Sequence, residues 1–375
     1  MKRRDILTTA LAAPPLLLAG CASSSVPKQE GGSSNSQASR LTVLYDAFGR
    51  DATMQRDWGY AALVETGGRR ILFDTGNSAE VLARNAKAKG ADLSRLDFVV
   101  MSHRHGDHMG GMSYLLAQNE KVRIYAPKEG FGVYGADLPS TFYRKDPTLP
   151  PEQRYYNGAP PEKMVFGSAW PQANITLIDK TTEIAPGLHL ISLVSDKPGT
   201  LELREQSLGI ETPEGMVVIV GCSHPGIENI VKAAALINPK IRFVAGGFHL
   251  VVAKDPEIEA IAIALRDTYK VGYIAPGHCT GEPTFAALKS AFGDRYLYAG
   301  LGTTFELGAT PRPQSAEGQA RQLTQQEAAS DIQAYRALLG VSSDRRTRLF
   351  STVQRSTSPD GAYLAQWRRS MMGCC

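Results

Sequence analysis

The chain has 375 residues, 43% apolar and 21% charged. That is an ordinary globular composition, which excludes a disordered, collagen-like or coiled-coil plan and gives material for one large domain or two modest ones. Lys plus Arg number 41 against 37 Asp plus Glu, a net charge of +4 to which Lys2, Arg3, Arg4 and Asp5 contribute +2, so the basic face that nucleic-acid binding requires is absent.

Lys2-Arg3-Arg4 precedes a short apolar stretch, Ile6 to Gly20, broken by Pro14-Pro15. At about fifteen residues it is too short to cross a bilayer as a helix. It ends Leu18-Ala19-Gly20-Cys21, which resembles the lipobox of bacterial lipoproteins. That resemblance implies a removed export signal over 1–20, lipidation of Cys21, and a lipoprotein tethered to the membrane on the periplasmic side of a bacterial cell envelope. Arg3-Arg4 also resembles part of a twin-arginine signal. An uncleaved anchor or a cytosolic protein with an apolar start is the alternative. Residues 21–40 are rich in Ser, Gly and Gln and read as a flexible tether.

Leu41–Tyr45, Tyr60–Glu65 and Arg70–Phe73 are β-branched or apolar runs between turn residues and predict strands. Ser78–Lys89 has helical composition, and Phe98–Met101 is a buried strand running straight into Ser102-His103. Residues 131–171 carry eight aromatic residues among seven prolines. They are too aromatic for a disordered linker and too proline-rich for a helix, and are expected to cap a pocket or else to form a surface loop with its own small core. Further on, the strands Met216–Val220, Ile241–Ala245 and Val271–Ala275 are each followed by Gly or Pro, a histidine and a helix: Ile227–Ile237, Glu257–Tyr269 and Pro283–Phe292. Such a repeat belongs to a layered α/β fold, with His224, His249 and His278 on the loops past the strand ends, where chemistry gathers. The main domain is expected over 41–310. Beyond it, 311–375 is a polar extension with one amphipathic helix at Leu323–Leu339 and a terminal Cys374-Cys375 pair.

Ser102-His103-Arg104-His105-Gly106-Asp107-His108 packs three imidazoles and a carboxylate into six residues after a strand. Neutral imidazole and carboxylate oxygen suit zinc, and imidazole also suits iron, with manganese less favoured. Alternation along an extended turn points His103 and His105 one way and leaves Asp107 and His108 for a second position, enough to begin one or two divalent-cation sites. His189 has no such company and reads as structural.

Together with Phe73-Asp74-Thr75-Gly76, this block resembles the metallo-β-lactamase fold superfamily, whose members form a four-layer αββα sandwich with one or two metals at the sheet edge. Gly221-Cys222-Ser223-His224-Pro225-Gly226, Gly246-Gly247-Phe248-His249-Leu250 and Gly277-His278-Cys279-Thr280-Gly281 are similar to the subgroup of dihydropterin ribofuranosylaminobenzene phosphate synthase-like metal-dependent hydrolases. The resemblance implies metal ligation by His103, His105, Asp107 and His108, with His278 as the last histidine. The family's usual histidine before its fourth block has Asp196-Lys197-Pro198-Gly199 near its place here. His224 is then the candidate for the missing imidazole, with solvent left to bridge the metals and Cys222 the rival ligand. Asp74 is expected to orient a metal-bound histidine, or else to cap its turn. Cys222 and Cys279 are otherwise expected to stay buried thiols.

The expected chemistry is hydrolysis of a small ester, phosphoester or lactone by a metal-bound hydroxide, with Asp107 or His249 moving the proton, His249 being alternatively a further metal ligand. The backbone N–H groups of Gly110-Gly111 and Gly246-Gly247 are expected to meet substrate oxygens. Two other readings stand beside it: a non-catalytic metal- or ligand-binding lipoprotein, and a di-iron redox protein on the same fold. An exported chain is poorly placed for the pterin chemistry that part of the subgroup implies.

Overall fold

The structure is a computed structural model and describes residues 39–314 except 131 and 309. The export signal with Cys21, nearly all of the tether, the helix expected at 323–339 and Cys374-Cys375 lie outside the described residues.

The N-terminal half runs β1 (Arg40–Tyr45), β2 (Ala61–Thr66), β3 (Arg69–Phe73), α1 (Ala79–Ala88), β4 (Phe98–Val100), α2 (Gly106–Met109), α3 (Met112–Gln118) and β5 (Arg123–Pro127). The hairpin β6 (Ala136–Pro139) and β7 (Lys163–Phe166) comes next, then β8 (Asn174–Ile178), β9 (Thr182–Ala185), β10 (Leu188–Val194) and β11 (Arg204–Thr212). Strand–helix units close the fold: β12 (Gly215–Val220), α4 (Ile227–Ile237), β13 (Ile241–Gly247), α5 (Asp255–Ile263), β14 (Tyr273–Gly277) and α6 (Glu282–Phe292), with β15 (Thr304–Glu306) and β16 (Arg312–Gln314) returning to the first sheet. One sheet has the order β16-β15-β1-β2-β3-β4-β5-β8 and the other β14-β13-β12-β11-β10-β9.

The period of two along the strands builds the layers. Val43, Ala62, Phe73 and Val100 from the first sheet share one core with Leu190, Leu208, Val217, Ile219 and Phe243 from the second. The alternate residues Leu63, Leu72, Val99 and Met101 pack with Val81 and Leu82 of α1 and Leu115 of α3. On the far side Met216, Val218, Val220 and Val244 meet Ile227 and Val231 of α4, Ile261 of α5 and Leu288 of α6. Each strand that buries both faces thus contributes to two cores, which is the four-layer αββα arrangement. Burial of a side chain such as Phe73 is worth about 1.5–3 kcal/mol, so a charge at such a position would disrupt both layers.

Helix α1 starts where Ser78 accepts a hydrogen bond from the Val81 N–H, with Glu80 in the first turn and Lys87 in the last, matching the helix dipole. Two expected boundaries shift. Arg40 pairs with Glu65 and Glu306 across the sheet, and Ser39 bonds Thr66, so the tether ends before them. At the other end, β16 pairs antiparallel with β15 through Thr304↔Gln314, so the domain extends past 310 to an edge strand, Arg-Pro-Gln, whose polar sequence hid it. Residues 131–171 hold the separate two-stranded sheet β6–β7. Tyr134 at its start is buried and donates to the His103 carbonyl at 2.7 Å, whereas Tyr155 and Tyr156 are 69% and 60% exposed. The segment therefore braces the histidine loop at one end and meets solvent at the other.

Candidate metal centre

Strands β3, β4 and β5 run parallel in one sheet, and β12, β13 and β14 run parallel in the other. The carboxyl ends of β3, β4, β12, β13 and β14 deliver Asp74, His103, His224, His249 and His278 respectively. Gln206 on β11 ties the sheets at this edge: its side-chain nitrogen donates to the carbonyls of Met101 and Tyr125, each at 3.0 Å, and its backbone N–H donates to Ser102 at 2.9 Å.

After β4 the chain is extended only as far as His105, which sits at the start of the one-turn helix α2. The expected extended turn is replaced there by helix, because Asp107 and His108 must leave the line of His103 and His105 to face elsewhere. Two trios of ligand atoms result, each within 4.8 Å of one another: His103, His105 and His224 in the first, Asp107, His108 and His278 in the second. His103 Nε2 lies 2.9 Å from His105 Nδ1, and His108 Nε2 lies 3.2 Å from His278 Nε2. Asp107 Oδ2 is 3.3 Å from His278 Nε2.

Buried acceptors behind the rings fix which nitrogen of each ring faces inward. Asp74 is fully buried. Its Oδ1 accepts from the Ser102 N–H and its Oδ2 from the Ser102 hydroxyl, each at 2.6 Å, and Oδ2 also takes His108 Nδ1 at 2.7 Å. The single hydroxyl hydrogen of Ser102 being spent on Asp74, its oxygen accepts from His103 Nδ1–H at 2.8 Å. On the opposite sheet, Glu205 Oε2 takes both the His224 N–H and its Nδ1, while Oε1 takes the Cys222 and Ser223 N–H groups. His103, His108 and His224 therefore all hold their hydrogen outward on Nδ1 and aim the Nε2 lone pair inward. Asp74 holds the His108 ring through its Nδ1. Glu205 does the same for His224 and was not singled out in the sequence, where nothing local marks it among the residues of a strand.

Electrostatics set the two trios apart: against the effect of burial, Asp107 and Asp74 raise His108, and Cys279 with Asp107 raises His278, whereas His103 and His105 of the first trio are held neutral. Burial, and then the neighbouring imidazoles, push His103 far down, and burial with His224 pushes His105 down to about 3, so both are neutral donors at ordinary pH. Burial raises the Asp107 carboxyl, but His108 and His278 outweigh it and hold Asp107 below the usual carboxylate range. Glu205 is likewise pushed up by burial and brought down to about 2 by His224 and the backbone N–H groups. Inward-facing lone pairs and an ionised carboxylate, gathered in a buried space, match what one or two divalent cations require.

The remaining candidates stand around the trios. His249 lies 4.3 Å ring to ring from His224 and forms a further group of possible donors with Cys222 and His224, with a buried Nδ1 that has no partner among the described residues. His189 stands apart on β10 and pairs with Glu211 at 3.0 Å. The Gly110 N–H bonds Gly76 and the Gly247 N–H bonds Gly221, so these two amides are occupied within the fold and do not face substrate. Cys222 and Cys279 are buried and unpaired as disulfides, yet Cys222 falls among the ligand atoms, with Sγ 3.1 Å from His108 Nε2. Asp74, Ser223, His249 and His278 adopt positive φ, a strain that the surrounding bonds sustain and that concentrates at functional sites. Gly221 is needed where the sheets meet, since a Cβ there would stand 2.2 Å from the Ser102 hydroxyl.

Residues 58–278 match the Metallo-beta-lactamase superfamily profile. A 7,8-dihydropterin-6-methyl-4-(beta-D-ribofuranosyl)-aminobenzene-5'-phosphate synthase of Methanocaldococcus jannaschii is 28% identical over 274 residues, covering 67% of this chain and 90% of that one. An uncharacterized protein of the same organism is 26% identical over 262 residues, covering 65% of this chain and 91% of its own. Among solved structures, a metal-dependent hydrolase of the beta-lactamase superfamily superposes with a TM-score of 0.53 at 29% identity, over 72% of this chain and 99% of that one.

Proposed function

Because the chain belongs to the metallo-β-lactamase superfamily, we propose that it is a metal-dependent hydrolase of a small ester, phosphoester or lactone. The observation that carries this reading is the convergence of two ligand trios, from both sheets, with outward-held protons and inward lone pairs. A divalent cation held there, zinc by the nitrogen-rich donor set, would supply Lewis-acid polarisation of a carbonyl or phosphoryl oxygen and would make water more acidic. His103, His105 and His224 would hold one cation and Asp107, His108 and His278 a second.

The chain's own groups divide the remaining work. Asp74, Ser102 and Glu205 keep the imidazoles in one tautomer, so no proton must leave those rings before ligation. Asp107 is the most open of the six donors, with a side chain 15% exposed, and as an ionised carboxylate it can take a proton from an incoming nucleophile. His249, beside His224 and also partly exposed, is placed to give a proton to a leaving group. The Methanocaldococcus relative is a synthase of a 5'-phosphate compound, so phosphoesters belong in the substrate panel beside esters and lactones.

The test is elemental analysis of the purified protein followed by turnover on ester, lactone and phosphodiester panels. Bound divalent metal with metal-dependent turnover on one panel is the expected result. Bound metal with no turnover on any panel would instead favour a binding protein. We place the protein in the bacterial envelope on the Leu18-Ala19-Gly20-Cys21 sequence. No helix among the described residues is long and apolar enough to cross a membrane. Cys21→Ser should move the expressed protein from the membrane pellet to the soluble fraction, and persistence in the pellet would refute lipidation.

A further inference from the structure

The metal centre occupies one edge of the sandwich, and the opposite edge carries charge of its own. Phe98 opens β4, Arg123 opens β5 and Asn174 opens β8, and the three are partners in register. Phe98 and Tyr125 belong to the core between the two sheets, so the period of two puts Arg123 on that inner face, with Lys121 two residues further out. Arg69 stands likewise two residues before Ile71, the register partner of Phe98. An inner face calls for apolar side chains, and here three cations take their place.

The three line a cavity of about 460 Å³, bounded on the other sheet by Ile184 and Ala185 of β9. That volume is in the range of small-molecule sites. Among the described residues, none of the three cationic side chains has an ion pair or a hydrogen bond. The one carboxylate of the lining, Asp97, accepts the Arg70 N–H through Oδ2 at 2.7 Å. Asn174 Nδ2 donates to the Lys121 carbonyl at 3.4 Å and ties the wall together. Below the cations, Tyr125 is 8% exposed and meets Phe98 edge-on, with ring centroids 5.4 Å apart. Its hydroxyl has no hydrogen-bond partner among the described residues, and in so buried a residue such a group calls for a partner from outside.

We propose that this cavity binds the phosphate group of a small organic molecule. Phosphate carries close to two negative charges at neutral pH and presents oxygens in several directions, which suits cations arriving from separate strand ends better than a planar carboxylate does. The guanidinium groups of Arg69 and Arg123 match pairs of its oxygens. Lys121 adds a third positive charge, and the Tyr125 hydroxyl donates from the floor. Five extended residues, about 16 Å of chain, separate Phe98 from His103, so the site is distinct from the metal centre and does not rest on the hydrolase reading.

The test is calorimetric titration of the full chain with glycerol phosphate, and with citrate as the carboxylate counterpart. Glycerol phosphate should bind the wild type more tightly than citrate does. Arg123→Gln should weaken that binding about tenfold or more and Tyr125→Phe about fivefold, the losses expected of a charged and a neutral hydrogen bond. Arg123→Gln should keep the wild-type metal content, and His103→Ala should bind glycerol phosphate like the wild type. Four results overturn the proposal: no binding to the wild type, unchanged affinity in both Arg123→Gln and Tyr125→Phe, loss of binding in His103→Ala, which would put the phosphate at the metal centre, or citrate binding as tightly as glycerol phosphate. Arg69→Gln, at an exposed position, carries the same expectation as Arg123→Gln and decides the matter where that variant fails to fold.

Discussion

Glu205 offers the sharpest test of how the centre is organised, because its two oxygens do separable work. Oε1 accepts the Cys222 and Ser223 N–H groups at 2.9 and 2.7 Å, and Oε2 accepts the His224 N–H and Nδ1–H at 2.8 and 2.9 Å. Glu205→Ala leaves three backbone donors buried without an acceptor, at about 1–3 kcal/mol each. Partial rescue by entering water brings the expected loss to about 3–5 kcal/mol, the range found when one member of a buried pair is removed. Glu205→Gln keeps the shape but sets an NH2 group against donors on one side or the other. The cheapest adjustment lets the introduced amide donate to His224 Nδ1, which moves the ring hydrogen to Nε2 and removes that lone pair from the first trio. Metal affinity should then fall roughly 10–100-fold with a smaller stability loss than in the alanine variant. Chelator-competition titration reads the affinity and urea denaturation of the stripped protein reads the stability. A glutamine variant with unchanged affinity would refute the claim that Glu205 sets the tautomer of His224.

His103→Ala should bring metal-dependent turnover to background with an unchanged far-ultraviolet circular dichroism spectrum, since His103 stands on a loop past β4; retained turnover would remove the metal mechanism. Removing metal with a chelator should lower the melting temperature, and restoring it at about a hundred times the dissociation constant should return about 2.7 kcal/mol, a rise of roughly 5 °C or more by calorimetry. Gly221→Ala drives a Cβ to 2.2 Å from the Ser102 hydroxyl, so it should both destabilise the fold and weaken metal binding. A variant that melts and binds metal like the wild type would show that the Asp74–Ser102–His103 relay tolerates displacement.

What the sequence disclosed and what it hid divide along one physical line. His103, His105, Asp107 and His108 were legible as candidate ligands because all four leave a single strand end within six residues, a density of ligand-type groups that stands out in any sequence. The layered fold was legible for a similar reason, since strands such as Met216–Val220 and helices such as Ile227–Ile237 carry their own periodicity and turn signals. The groups that make the ligands usable carry no such mark. Glu205 acts on His224 from 19 residues away, Asp74 on His108 from 34, and Asp46 on the His278 N–H from 232. Asp74 stands in the Phe73-Asp74-Thr75-Gly76 block and is marked by it, but Glu205 and Asp46 are lone carboxylates in unremarkable contexts, chosen by where two sheets bring their edges together. Cys222 stays open between a rival ligand and a small buried thiol, because a thiol's chemistry depends on its neighbours and those come from both sheets. A ligand's type can be read from one short segment. Its tautomer, charge and partner ion are properties of the contact between segments, and for this centre that contact is the seam between the two sheets.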